Sequence, residues 1–297
     1  MKMNEKQQAF AQYLLQQGHT PETTKSYVFQ IGIFIANNPN AETLQYKDIV
    51  DYFGTPFLQN VSRAYRTAIL SSIKRYYDFL VETGVRNDHP CKRFFVIGEK
   101  RKEHIIASDY FTSGELELLL SREERYRDLK QKHQVIISLL LFQALTSKEI
   151  VNLKISHVDL DKGRIYTRGG NKLSARHLEI HPRQYRILEN YIHEGRKKLE
   201  IPNEKYDNLI LGKLGKPCTV EGINYIIETF KYLFPDRNLN PSTIRQSVIA
   251  NWLNEKNLPL EQVQLLAGHK WISSTVVYRQ APEDKQREII NKFHPLG

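Results

Sequence analysis

Apolar residues recur at helical spacing along most of the chain. Between Ser62 and Glu82, Ile69, Ile73, Tyr76 and Leu80 follow at intervals of 4, 3 and 4, a stripe on one helix face. Phe10, Tyr13 and Leu14 give a first helix an apolar face, and Gly18 marks its end. In "HTPETTKSY", Thr20 is placed to cap a second helix, with Pro21 at its first position. A third helix is predicted over about Thr43–Phe53. The run "VIISLLLFQAL" (135–145) predicts a buried helix and is too short to cross a bilayer. Further helices are predicted at about 182–199, 219–234, 242–254 and 260–267. The stretch "GRIYTRGGNKLSARHLEI" (163–180) differs. Two extended runs flank a Gly-Gly-Asn turn, which predicts a hairpin.

The helical period breaks at 91–110, "CKRFFVIGEKRKEHIIASDY". This divides the chain into a helical domain over 1–92, a linker over 93–110 and a second domain over 111–297. The second domain opens at "FTSGELELLL". There Thr112 and Glu115 form a capping box, and Phe111 with Leu116 a hydrophobic staple. The expected fold class is mainly α. An N-terminal helical domain precedes a mixed α/β domain with a small antiparallel sheet. No internal repeat or low-complexity tract interrupts either part.

Composition narrows the picture. The chain has 297 residues, room for two domains, with 40% hydrophobic and 26% charged residues, as in a soluble globular protein. The opening "MKMNEKQQAFAQYLLQQG" lacks a signal-peptide core, so no membrane partner is expected. Two cysteines, Cys91 and Cys218, lie far apart, which implies neither a disulfide framework nor a zinc site and suits the cytoplasm. The net charge of +10 favours a polyanionic partner.

Candidate chemistry falls in five places. The fourth helix carries Arg63, Arg66, Lys74 and Arg75, with Tyr65 and Tyr77 nearby. These are either a solvated face or one that tracks phosphates. Lys100, Arg101 and Lys102 make the interdomain stretch cationic. On the hairpin, Lys172 lies beside the turn between Arg168 and Arg176, as a solvated turn lysine or a cation that swings over a phosphate. In "NPSTIRQSVIANWL" (240–253) Asn240 caps and Pro241 starts a helix. Ser242 and Arg245 share a face, and Ile249, Trp252 and Leu253 are buried. A cation near a helix start costs roughly 0.3–1 kcal/mol, so Arg245 suggests an anion held by helix-end amides and guanidinium together, or a surface arginine paired with a carboxylate. In "LAGHKWISSTVVYRQ" (266–280) Gly268 ends a helix and His269 emerges past it. Ser273 or Ser274 caps the next helix, which carries Tyr278.

In order and spacing these pieces resemble the tyrosine recombinases, or phage-type integrases, over nearly the whole chain. Lys172 matches the family's hairpin lysine and Arg245 the arginine of its His-x-x-Arg box. "AGH" ending at His269 matches the Leu-Gly-His box, and Tyr278 follows at the usual spacing. The closing "KQREIINKFHPLG" resembles the tail that docks on a neighbouring subunit. The resemblance implies a SAM-like DNA-binding domain, a DNA breaking-rejoining catalytic fold, and a C-shaped clamp on double-stranded DNA. It implies that Tyr278 attacks a phosphate to form a 3′-phosphotyrosyl link, that arginines hold the non-bridging oxygens, and that Lys172 protonates the leaving 5′-oxygen. Histidine assists, and no metal or nucleotide cofactor takes part. The expected partners are DNA and further copies in a tetrameric synapse, or an active recombinase subunit.

Two stretches depart from that pattern. In "FQALTSKEIVNLKISHVDL" (142–160) Glu149, Leu153 and Asp159 align, but Thr146 stands where the first arginine belongs. Thr146 to Glu149 is itself a capping box. Ser242 opens the His-x-x-Arg box in place of histidine, and Gln246 replaces the histidine after Arg245. Losing one preorganised donor costs about 2.7–4 kcal/mol, or roughly 10²–10³ in rate. Lys148 points about 200° away around the helix; Arg168 or Arg176 on the hairpin could serve instead. Three readings stay open: a recombinase with a substitute cation, a DNA-binding relative that cleaves poorly, or a passive subunit beside an active partner.

Overall fold

The computed structural model describes residues 5–97, 110–121, 127–170, 172–202 and 204–279. The chain separates into two compact units, Met1–Glu103 and His104–Gly297.

The first unit is helical. Its elements are α1 (Glu5–Gln16), α2 (Pro21–Asn37), α3 (Tyr46–Phe53), α4 (Pro56–Gln59) and α5 (Arg63–Glu82). Thr20 caps α2 as expected, accepting from the Thr23 amide at 3.3 Å. The stripe on α5 faces inward, with Ile69, Ile73, Tyr76 and Leu80 all buried against Phe10, Leu14, Ile31 and Phe34. Helix α3 starts later than the predicted Thr43, because Asp48 accepts from the Gln45 amide at 2.7 Å and fixes the first turn there.

The second unit holds α6 (Ser113–Ser121), α7 (Arg127–Gln143) and α8 (Ser147–Asn152). A sheet follows, of β1 (Val158–Asp159), β2 (Arg164–Thr167) and β3 (Arg176–Glu179). The remaining helices are α9 (Pro182–Asn190), α10 (Val220–Glu228), α11 (Pro241–Asn254), α12 (Leu260–Ala267) and α13 (Ser273–Val276). The predicted hairpin is β2–β3, antiparallel, with Ile165 opposite Leu178 and Thr167 opposite Arg176. A short third strand, β1, extends it in the order β1-β2-β3. The box and staple at the start of α6 form: Thr112 donates its amide to Glu115 at 2.8 Å, and Phe111 and Leu116 are buried. The apolar run 135–145 lies in and just past α7, and packs with α9 and α11. Helix α11 is buried on nearly every side, from Ile244 to Leu253, as a central helix must be.

Two predicted helices stop early. That at 182–199 ends at Asn190 and continues as one wide turn, Tyr191–Gly195, then a 3₁₀ turn. A Cβ at Gly195 would stand 3.1 Å from Cβ of Gln131, so the chain approaches α7 closely there and any larger residue would push Gln131 aside. That at 219–234 ends at Glu228, where the Thr229 hydroxyl donates back to the Ile226 carbonyl at 2.7 Å. Among the described residues no helix is long and apolar enough to cross a membrane.

Between α7 and α8 the backbone turns through Ala144, whose φ of +48° lies in the left-handed region. A side chain there costs about 1–2 kcal/mol. Ala144→Gly relieves that strain but gives up a buried methyl, about 0.8 kcal/mol, and loosens the unfolded chain by about 0.4–1 kcal/mol, so the urea midpoint should barely move; a loss of more than about 1 kcal/mol contradicts strain at this turn.

Candidate active site

The centre of the site is the Glu149 carboxylate, 9% exposed on the first turn of α8. The capping box expected here forms. Thr146 donates its amide (2.9 Å) and hydroxyl (3.0 Å) to one oxygen, Oε2. The other, Oε1, accepts from Nη1 of Arg176 on β3 at 2.6 Å. Nη1 of Arg245 on α11 stands 4.0 Å from Oε2. One carboxylate thus lies between two guanidinium groups, and the cap holds it in place.

Both arginines also reach the end of α12. Arg176 donates from Nε to the Leu266 carbonyl at 2.8 Å, and Arg245 from Nη2 to the Ala267 carbonyl at 2.7 Å. These carbonyls have no partner within their own helix, and the negative end of the helix dipole favours cations there. Arg245 further donates to the carbonyl of Ala144. Burial lowers its pKa to about 10, with Arg176 acting in the same sense and Glu149 against it.

This corrects the expectation for the start of α11. The amides of Ser242 and Thr243 are taken by the Asn240 side chain at 2.9 and 3.0 Å, so they are not aimed at an anion. Arg245 turns inward and is 7% exposed, while Ser242 lies on the outside. The two therefore do not form one exposed face.

Gly268 ends α12 with φ +73°, as the sequence predicts. It has a second use. A Cβ there would stand 2.7 Å from Cζ of Arg176, so the missing side chain leaves room for the guanidinium. The hairpin loop pairs with this stretch: Ser174 donates its amide to the Gly268 carbonyl at 2.8 Å, and Leu173 bridges His269. Lys172, one residue before that bridge, is exposed.

His269 follows Gly268. Its Nδ1 is 2.9 Å from the Thr275 hydroxyl. Burial, then the charges of Arg245 and Arg176, lower its pKa to about 4, so the ring is neutral at pH 7. Tyr278 stacks beside it, ring centres 6.1 Å apart and planes 18° apart. Burial raises the Tyr278 pKa, against the pull of Arg245. Tyr278 does not lie within a helix capped by Ser273 or Ser274. Both serines are inside α13, which is a single turn, and Tyr278 sits just past it. Its amide donates to the Thr275 carbonyl at 3.1 Å and its carbonyl accepts from Asn254 at 2.8 Å, which pins the turn.

The structure therefore brings together Arg245, His269, Tyr278 and Arg176, with the Lys172 backbone at their edge. It separates Arg168, which is exposed and whose charge acts on His157. On α5, Arg63 and Arg66 are partly exposed. Lys74 donates to the Lys92 carbonyl at 3.1 Å, and Arg75 pairs with Asp78 at 3.2 Å. Tyr77 does not join them. One helical turn beyond Ile73, it is fully buried and donates its hydroxyl to the Ala41 carbonyl at 2.7 Å. Lys100, Arg101, Lys102 and the tail 285–297 lie outside the described residues. Asn254 and Thr275 were not singled out from the sequence, and no motif marks them. Among the described residues no three His, Cys, Asp or Glu side chains are grouped to hold a metal.

A mainly helical unit with a small antiparallel sheet, carrying these side chains in this order, defines a class already met in the sequence. The phage integrase family matches residues 109–285, and the chain belongs to that family, the tyrosine recombinases. Among its relatives, the tyrosine recombinase XerC of Oceanobacillus iheyensis is 28% identical, over 96% of this chain and 94% of that one. The tyrosine recombinase XerD of Listeria monocytogenes is 26% identical over 99% of both. In fold the chain is similar to the Tn1549 transposon integrase solved with a circular intermediate DNA (TM-score 0.68, 14% identity, 96% and 99% covered). It is likewise similar to the lambda integrase dimer bound to a core site (TM-score 0.67, 14% identity, 94% and 96% covered).

The depressed pKa of His269 has a consequence for stability. From about pH 6.5 down to 4 the unfolded chain takes up a proton that the native ring refuses, so this residue makes stability rise with pH across that window. Urea midpoints measured from pH 4 to 7 should show a shallower rise in His269→Asn than in the native sequence. Parallel curves contradict a neutral His269.

Proposed function

We propose that this chain is a site-specific recombinase that cuts and rejoins double-stranded DNA through a 3′-phosphotyrosyl intermediate on Tyr278. The observation that carries this reading is the stacking of Tyr278 on a neutral His269, beside the buried guanidinium of Arg245. The Tyr278 oxygen bonds to phosphorus as its proton passes to His269. The bond from phosphorus to the 5′-oxygen breaks, and Lys172 gives that oxygen a proton. Rejoining is the reverse, with a free 5′-hydroxyl as attacker. Each step exchanges one phosphodiester-type bond for another, so no outside energy source is needed.

The helical unit, with Arg63, Arg66, Lys74 and Arg75, supplies sequence-independent phosphate contacts in this reading. So do the cationic residues Lys100, Arg101 and Lys102 of the 93–110 linker. Domains at 1–92 and 111–297 would then each contact the duplex, and several copies would assemble into the synapse. The relatives' names and the DNA-bound integrases of the same fold support this assignment.

A second reading has its own observation. Thr146 is uncharged and committed to Glu149, and Ser242 faces outward, so two positions of the usual catalytic set carry no charge. In that reading the chain binds DNA as a regulatory, architectural or passive subunit and cleaves poorly.

The test uses a duplex that the full chain selects from a randomised library, nicked beside the cleaved bond so that a covalent adduct accumulates. The first reading predicts an adduct in the native sequence and none in Tyr278→Phe. If the native chain forms none and Thr146→Arg forms one, the second reading holds and the first is wrong.

A further inference from the structure

We propose that Arg176 is a phosphate-binding residue of this site and supplies the second guanidinium that Thr146 does not. The inference rests on the reading of Tyr278 as attacking a DNA phosphate, and adds a residue outside that mechanism.

Four observations carry it. First, Arg176 is driven into the site rather than into solvent; its side chain is 7% exposed. It shares a strand face with the buried Leu178, and lies opposite the buried Thr167. Second, three contacts fix its plane: Nη1 to Glu149 at 2.6 Å, Nε to the Leu266 carbonyl at 2.8 Å, and Nη1 to the Ser174 carbonyl at 3.4 Å. Third, Nη2 is buried and has no hydrogen-bond partner among the described residues. A buried donor of a charged group left unpaired costs more than about 1–3 kcal/mol. Such a cost persists where a ligand accepts the bond. The other arginine is differently placed, since Arg245 already spends both terminal nitrogens on the carbonyls of Ala144 and Ala267.

Fourth, the charge does not close. Arg176 and Arg245 meet one carboxylate, Glu149, and His269 is neutral. The end of α12 offsets roughly half a charge. The remainder is positive, in a place where uncompensated charge is expensive. A phosphodiester carries a single negative charge, and its non-bridging oxygens accept from guanidinium in the geometry arginine favours. Nη2 has no exposed surface of its own, so contact needs a local shift of the packing around Gly268.

The experiment compares the native chain with Arg176→Ala on the nicked duplex it selects, first with an ordinary phosphate at the mapped cleavage position and then with a methylphosphonate. The methylphosphonate is uncharged, so it has less need of a second cation. Arg176→Ala should lose about 10²–10³-fold in adduct rate on the phosphate and far less on the methylphosphonate. Equal losses on both, or no loss on the phosphate, overturn the proposal, because a merely structural residue would not distinguish them. If Arg176→Ala does not fold, Arg176→Lys is compared in the same way: it keeps the ion pair with Glu149 and gives up the second nitrogen. A native chain that makes no adduct defeats the recombinase reading alone. The proposal is then decided by melting in rising inorganic phosphate, with sodium chloride at matched ionic strength as the reference for general salt effects. Phosphate should raise the native Tm more than it raises that of Arg176→Ala, and equal rises overturn the assignment.

Discussion

The Glu149 carboxylate is the point on which the second unit's chemistry depends. One oxygen is held by the Thr146 cap, and the other receives Arg176. Arg245 lies beyond, at 4.0 Å. Without this anion two buried guanidinium groups would repel one another and neither would stay inside. With it, both extend to the carbonyls that end α12, and so fix where Gly268, His269 and the turn to Tyr278 begin. A helix cap, an ion pair and a helix terminus therefore form one connected network.

The same network gives a structural use to the threonine that the resemblance sets at the family's first arginine position. Thr146 does structural work there, orienting the carboxylate through its amide and hydroxyl. In the reading proposed above, the second cation is Arg176, from a strand that runs past Gly268, where a missing Cβ leaves space for its guanidinium. The helix-start anion site that Arg245 suggested does not exist, because Asn240 satisfies those amides. Positive charge in the site is carried by side chains that cross from other elements.

Much of the fold was legible because helical stripes and caps are local. The inward residues of α5, the boxes at Thr112 and Thr146, the end at Gly268 and the β2–β3 pairing all follow from short stretches of sequence. The misses are of another kind. Helix α9 gives way to a wide turn that ends at a glycine close to α7, and α10 stops where a threonine bonds back to its own backbone; periodicity registers neither. Arg245 looked exposed because it lies near a helix start. Its partners stand 22 and 101 residues away in sequence, beyond any local pattern. Arg176 was named only beside Arg168. The signal that separates them was present: alternation along β3 puts Arg176 on the face of Leu178, whereas Arg168 lies past the end of β2.

The central claim is that Glu149 and Arg176 act as a buried pair that shapes the site, and a double-mutant cycle on the full chain tests it most directly. Urea unfolding is measured for Glu149→Gln, Arg176→Met and the double variant. Glu149→Gln should cost about 3–5 kcal/mol, since it leaves two guanidinium groups buried without their anion, and Arg176→Met less, since Arg245 still stands 4.0 Å from the carboxylate. The double variant should cost less than the sum by about 1–3 kcal/mol. Losses that add to within about 0.5 kcal/mol would mean the two side chains do not depend on one another, and would contradict the account.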